Sequence, residues 1–183
     1  GKSPTKKDPD IYDHKNIHCD VLVVGAGISG ILAAKNSAKN NLKTLLVDEK
    51  NELGGATIYQ NRDFNKIENQ SSSDWVKKEI QELKNIKDLE IKTRTSVAAY
   101  HGCNYLLARE NLTDHLEKKD KQGKIRQRLL KIRAKKVILA TGALERPLIF
   151  NNNDRPGIML SSAVKKYADF YGVVSGKKNV FFT

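Results

Sequence analysis

Three glycines carry the sharpest chemical signal in this sequence. Gly25, Gly27 and Gly30 stand in the spacing G-x-G-x-x-G, directly after the apolar run at 21–24. A residue without a side chain lets a backbone turn tightly, lets a large anion approach it, and lets a helix pack closely on a strand. Gly25 suits the turn, Gly27 the approach and Gly30 the packing, with Ala26 held in the same loop. The N–H groups at the start of the next helix then point at a phosphate, so the pattern predicts a pyrophosphate cradle. Such a cradle needs an acid to hold the adenosine ribose. Asp48 closes the next apolar run at the required distance, with Glu49 and Lys50 beside it. An anion there repels a 2′-phosphate, which disfavours NADP. Two later stretches add backbone contacts. Gly54-Gly55 lets the chain pass close to the dinucleotide, with the Thr57 hydroxyl as a donor. The apolar run at 137–140 leads into Thr141-Gly142, a second close pass.

These residues need a frame, and the patterning supplies one. Val21, Val23 and Val24 are β-branched, and their run reads as a strand buried on both faces of a parallel sheet. Apolar spacing predicts a helix over 28–40 and a strand over 43–47. Ser73 or Asp74 is expected to cap a helix running to about residue 85, with Trp75, Val76, Ile80 and Leu83 as its buried stripe. Strands are expected at 89–95, 97–100 and 104–109, with His101-Gly102-Cys103 as a hairpin turn. Further strands are expected at 125–133 and, buried, at 137–140. Residues 61–73 read as loop and 112–123 as a lysine-rich connection. Ser161 or Ser162 is expected to cap a last helix through Tyr171, with Val164, Tyr167 and Ala168 inward. Residues 176–183 read as the start of another strand. The expected fold is α/β: a Rossmann-like FAD/NAD-binding domain with a central parallel sheet and a β-meander, incomplete at its C-terminus. The expected division is a linker over 1–17, the dinucleotide domain over 18–150, and a connection over 151–183 leading into a second nucleotide-binding segment.

Composition bounds the function. With 183 residues, 39% apolar and 30% charged, the chain suffices for one globular domain. No apolar run has the length of a membrane span, and the polar N-terminus has no signal-peptide core, so a cytoplasmic location without membrane contact is expected. Cys19 and Cys103 are too few for a disulfide framework and read as reduced thiols. Net charge is +12. The lysines are scattered without interleaved aromatics, which favours a solvated surface, with an acidic partner subunit, over nucleic-acid binding. His101 beside Cys103 lacks further ligands, and His14, His18 and His115 are isolated, so no metal site is expected. No general base with an orienting partner is legible, so no catalytic residue is expected.

Three runs carry a resemblance: 18–30, Ala-Thr-Gly-Ala-Leu-Glu-Arg-Pro-Leu-Ile-Phe at 140–150, and Asn-Asn-Asp-Arg-Pro-Gly-Ile-Met at 152–159. With Asp74-Trp75 and Thr-Asp-His-Leu at 113–116, they resemble the α subunit of heterotetrameric sarcosine oxidases, within the glutathione-reductase-type dinucleotide-binding family. The resemblance implies an oxidoreductase acting on CH–NH groups. The whole complex would oxidise sarcosine to glycine, pass the one-carbon unit to tetrahydrofolate and form hydrogen peroxide. It implies NAD in this segment, with FAD and FMN elsewhere in the complex, other sarcosine oxidase subunits as partners, and little activity for this segment alone. Carried over by motif, Gly25, Gly27 and Gly30 face the pyrophosphate. Asp48, Glu49 and Lys50 surround the ribose, Thr57 and Val97 line the adenine half, and Thr141 and Gly142 back the pyrophosphate. A related amine, proline or glycine dehydrogenase α subunit with FAD in the same site is the enzyme alternative. A non-catalytic nucleotide-binding assembly module is the other.

Overall fold

A computed structural model describes residues 3–59 and 66–182. Its frame is a six-stranded sheet in the order β5-β2-β1-β8-β7-β6. Here β1 is Ile11–Val24, β2 Thr44–Val47, β5 Leu89–Lys92, β6 Thr95–His101, β7 Tyr105–Asn111 and β8 Ile125–Leu139. β5, β2, β1 and β8 run parallel, and β8, β7 and β6 form an antiparallel meander. This is the expected α/β frame with a parallel centre. β3 (Lys66–Ile67) and β4 (Gln70–Ser71) make a separate short hairpin.

Helices α1 (Ile28–Lys39) and α2 (Ser72–Lys84) cover one face of the parallel strands. Val21 and Val23 of β1 and Leu46 of β2 pack there against Ile31, Ala34, Trp75, Val76 and Leu83. Trp75 is core, and its indole N–H donates to Glu68. The alternate residues Leu22, Val24, Leu45 and Val47 face the other way. They join Leu106, Ala108, Leu130 and Ile132 of the meander in a second cluster. That alternation is the period of a strand placed between two layers.

Several expectations need correction. Residues 11–16, expected as part of a lead-in, belong to β1 and pair with β8. They are too polar to read as a strand, and their pairing is reinforced across strands by Asp13 on Arg128 at 2.9 Å. The two expected strands at 125–133 and 137–140 are one strand, because no glycine or proline interrupts 125–139. Its end is not buried: Ile138 and Leu139 are exposed. Residues 61–65 of the expected loop lie outside the described residues, whereas 66–71 form β3 and β4. The cap of α2 is Ser71, whose hydroxyl accepts the N–H of Asp74 at 3.2 Å, so Ser73 and Asp74 lie inside the helix. The lysine-rich connection contains a single-turn helix, α3 (Lys118–Lys121).

The last helix, α4 (Ser161–Tyr171), starts where expected but buries no residue. Tyr167 and Ala168 are exposed and Val164 is half-buried, contrary to the expected inward stripe. Neither serine caps it. Leu160 holds the cap position, and the Glu145 carboxylate accepts the N–H groups of Ser161 at 3.0 Å and Ser162 at 2.8 Å. Residues 176–182 form no strand, since no neighbouring strand pairs with them.

Candidate functional site

The site is built where β1 ends. The Gly25 N–H donates to Val47 O at 2.8 Å, so the chain turns off β1 against the end of β2. Gly25 holds φ +97°, and a Cβ there would sit 2.3 Å from the Ala140 carbonyl oxygen. A Cβ on Gly30 would lie 1.8 Å from the Gly25 carbonyl oxygen. Both glycines are therefore demanded by the fold. Gly27 differs: a Cβ there would meet nothing within 4 Å. It caps α1, and among the described residues no side-chain cap bonds the N–H groups of the first turn. Those donors and the positive end of the helix dipole start beside a bare Cα whose missing Cβ would meet nothing within 4 Å. This is the geometry a pyrophosphate requires, and the residues present fit one.

Asp48 directly follows β2, next to this loop, and is buried. Its Oδ2 accepts the Ala26 N–H at 2.6 Å and its Oδ1 the Lys50 N–H at 2.8 Å. A carboxylate has about four lone-pair positions. Asp48 can thus brace the loop and still accept a ribose hydroxyl. Glu49 is exposed and Lys50 half-exposed, with the Lys50 ammonium 5.6 Å from the centre of the Tyr59 ring.

The double glycine lies against the same loop. The Gly54 N–H donates to Ala26 O at 2.7 Å, and a Cβ on Gly55 would come 2.9 Å from the Gly27 Cα. Residues Gly55–Tyr59 form a 3₁₀ turn in which Thr57 is buried. Ala140, at the end of β8, donates its N–H to Val24 O at 2.8 Å, and the Thr141 Cα lies 3.2 Å from where a Gly25 Cβ would be. The structure therefore brings together Gly25, Ala26, Gly27, Gly30, Asp48, Gly55 and Thr141. Gly142 follows with φ +74° and open space, while Val97 packs on the core cluster beneath β6.

Two roles escaped the sequence reading, those of Ala140 and Glu145, and Gly54 is legible there only as half of the glycine pair. Gly54 fastens the second loop to the first; it holds φ +115°, and a Cβ there would stand only 2.7 Å from Val76 Cγ1. Ala140 supplies the carbonyl that forbids a side chain at Gly25. Glu145 caps α4, and the hydroxyls and N–H groups of Ser161 and Ser162 hold its carboxyl down to about 2. Only Gly54 left a signal, its place in the glycine pair. A separate cleft of about 970 Å³ lies between α2, the 3₁₀ turn and α4, lined in part by Leu53, Ile58, Val76, Ile80 and Phe170. None of the three motif glycines lines it. Among the described residues, no group of three or more His, Cys, Asp or Glu is placed to hold a metal ion, and no helix is long and apolar enough to cross a membrane.

The fold and this loop define a dinucleotide-binding protein of the FAD/NAD(P) type. The chain belongs to the pyridine nucleotide-disulphide oxidoreductase family, whose model matches residues 19–178. It is similar to the "Sarcosine oxidase subunit alpha" of Corynebacterium sp. (strain P-1), at 41% identity over 96% of this chain. The protein of the same name from Rhizobium meliloti (strain 1021) is 34% identical over 100% of this chain. The chain spans 18% of the length of each of these relatives. Among solved structures, it resembles L-proline dehydrogenase from P. horikoshii, with a TM-score of 0.68 and 25% identity. That match covers 90% of this chain and 31% of the other.

Proposed function

We propose that this chain is the NAD-binding segment of an α subunit in a sarcosine oxidase-type complex. The observation that carries the dinucleotide is the open space at Gly27, at the start of α1 and in the loop that the buried Asp48 carboxylate braces. Gly25, Ala26, Gly27 and Gly30 hold the pyrophosphate, backed by Thr141 and Gly142. Asp48 accepts the ribose hydroxyls, with Glu49 and Lys50 around them; Gly55, Thr57 and Val97 complete the adenine half. The dinucleotide, when bound, supplies any hydride chemistry, and this chain's residues bind and orient it. The dinucleotide domain takes in the whole of β1 and runs to about residue 150, and the residues after it lead toward a second segment.

The similarity to sarcosine oxidase α subunits supports a complex that oxidises sarcosine to glycine, delivers the one-carbon unit to tetrahydrofolate and forms hydrogen peroxide. FAD and FMN then belong to parts of the complex outside this segment, and the partners are its other subunits, in the cytoplasm. The likeness to a proline dehydrogenase favours one alternative, an amine-dehydrogenase-type α subunit with FAD in the same loop. Mass spectrometry of the ligand released from native full-length protein separates them. NAD in protein without flavin absorbance at this site supports the first reading; FAD supports the second. No dinucleotide at all, with no uptake in calorimetry, overturns both.

A further inference from the structure

The outer face of the meander carries a cluster that chain order hides. Strand side chains alternate, so 105, 107 and 109 of β7 share a face with 129, 131 and 133 of β8. Their neighbours Leu106, Ala108, Leu130 and Ile132 are buried on the inner face. The register sets Tyr105 beside Arg133, Leu107 beside Lys131, and Arg109 beside Leu129. β1 adds His18 beside Arg133, and β6 adds His101 beside Tyr105. The Arg133 guanidinium lies 5.1 Å from the centre of the Tyr105 ring, and the His101 ring lies 5.9 Å from it. One row across four strands thus reads His18, Arg133, Tyr105, His101.

No acid stands among these positions. Asp20, further along β1, is paired with Lys135 at 2.7 Å, and Glu110 is buried on the inner face with Lys92 and Arg128. Among the described residues, Arg109, Lys131 and Arg133 make no salt bridge. Neighbouring strands lie about 4.8 Å apart and alternate residues about 6.8 Å apart. The three cations therefore occupy one compact patch. Leu129, 41% exposed, and the half-buried Leu107 sit between them.

We propose that this face docks an acidic protein surface of a partner chain. Its carboxylates would sit on Arg109, Lys131 and Arg133, with an apolar side chain over Leu129 and Leu107. The planar guanidinium of Arg133, already laid against Tyr105, presents its outer donors in a fixed plane suited to a carboxylate. Charge complementarity selects the partner. The same stacking argues against single-stranded nucleic acid, which takes free aromatic faces, whereas Arg133 lies over the Tyr105 ring. The surface uses none of the glycine-loop residues, so this inference stands apart from the dinucleotide reading.

The test uses full-length protein, a short labelled poly-L-glutamate peptide, and an oligothymidylate of equal charge. The peptide is expected to bind in low salt, and to be weakened about tenfold in an Arg109→Gln/Lys131→Gln/Arg133→Gln variant, three exposed pairs being lost. A charge-matched control, Lys39→Gln/Lys78→Gln/Lys87→Gln, should leave it unchanged. Equal weakening in both variants reduces the effect to net charge and overturns the proposal. Tighter oligothymidylate binding that the first variant abolishes also overturns it. If the triple variant misfolds, Lys131→Gln alone decides: weakening of about twofold supports the patch, and no change removes it.

Discussion

The Asp48 carboxylate accepts the buried N–H of Ala26 at 2.6 Å, tying the end of β2 to the middle of the glycine loop. One side chain thereby braces the glycine loop against the end of β2. Asp48→Ala strands the Ala26 N–H and leaves the Lys50 N–H without its partner. A cost of about 2 kcal/mol is expected, because charge-assisted bonds at a buried donor are lost. Urea unfolding should show a lower midpoint at unchanged slope, together with weakened dinucleotide binding. An unchanged midpoint would show that the brace contributes nothing.

Gly27 and Gly30 should part company on mutation. Gly30→Ala places a methyl 1.8 Å from backbone, which cannot yield, so a loss of about 3 kcal/mol or failure to fold is expected. Gly27→Val puts its Cβ where nothing lies within 4 Å. Thermal stability should stay near the parent's, while calorimetry shows dinucleotide affinity reduced by about tenfold or more. Equal affinity in variant and parent would refute the placement of the pyrophosphate.

Glu145 gives α4 a pH dependence. Its carboxyl titrates near 2 when folded, against 4.5 ordinarily, because Ser161 and Ser162 hydrogen-bond its charged form. A depressed pKa stabilises above the ordinary value and loses that stabilisation as pH falls through the folded one. Amide exchange at Ser161 and Ser162 should therefore accelerate as pH is lowered from about 4.5 toward about 2, after correction for intrinsic rates. Glu145→Gln should remove most of that pH dependence. Its persistence in the variant would assign the effect to another group.

The two cysteines should react at very different rates. Cys103 is exposed at the hairpin tip, whereas Cys19 is buried in the sheet, and burial pushes its thiol up to about 11. The thiolate is the reactive form. A thiol reagent at neutral pH should label Cys103 rapidly in native protein and Cys19 only on unfolding. Peptide mapping that finds both labelled at once would contradict the packing around Cys19.

Much of this molecule was legible in its residue order. The strand at 21–24, the first helix, the second strand and the hairpin at 101–103 all announce themselves through local periodicity and turn chemistry. Val21 and Val23 were readable as buried because an unbroken apolar run leaves no face for water. The polar half of β1 was not readable. Residues 11–16 are held as a strand by pairing with residues more than a hundred positions away, and no local pattern reports a distant partner. The inward face expected for α4 failed for the reverse reason. Its apolar spacing is real, but periodicity names only a face, and burial requires another element to cover it.

Residue types and spacing alone determined that a glycine loop follows a strand and that an acid stands at the end of the next strand. Both are local consequences of side-chain size and charge. Only the tertiary structure decided which glycine has open space beside it and which two are walled by backbone, because that depends on Ala140 and on the path of the chain itself. It also decided that scattered cations at 109, 131 and 133 meet on one surface, since pairing of strands, not order along the chain, makes them neighbours.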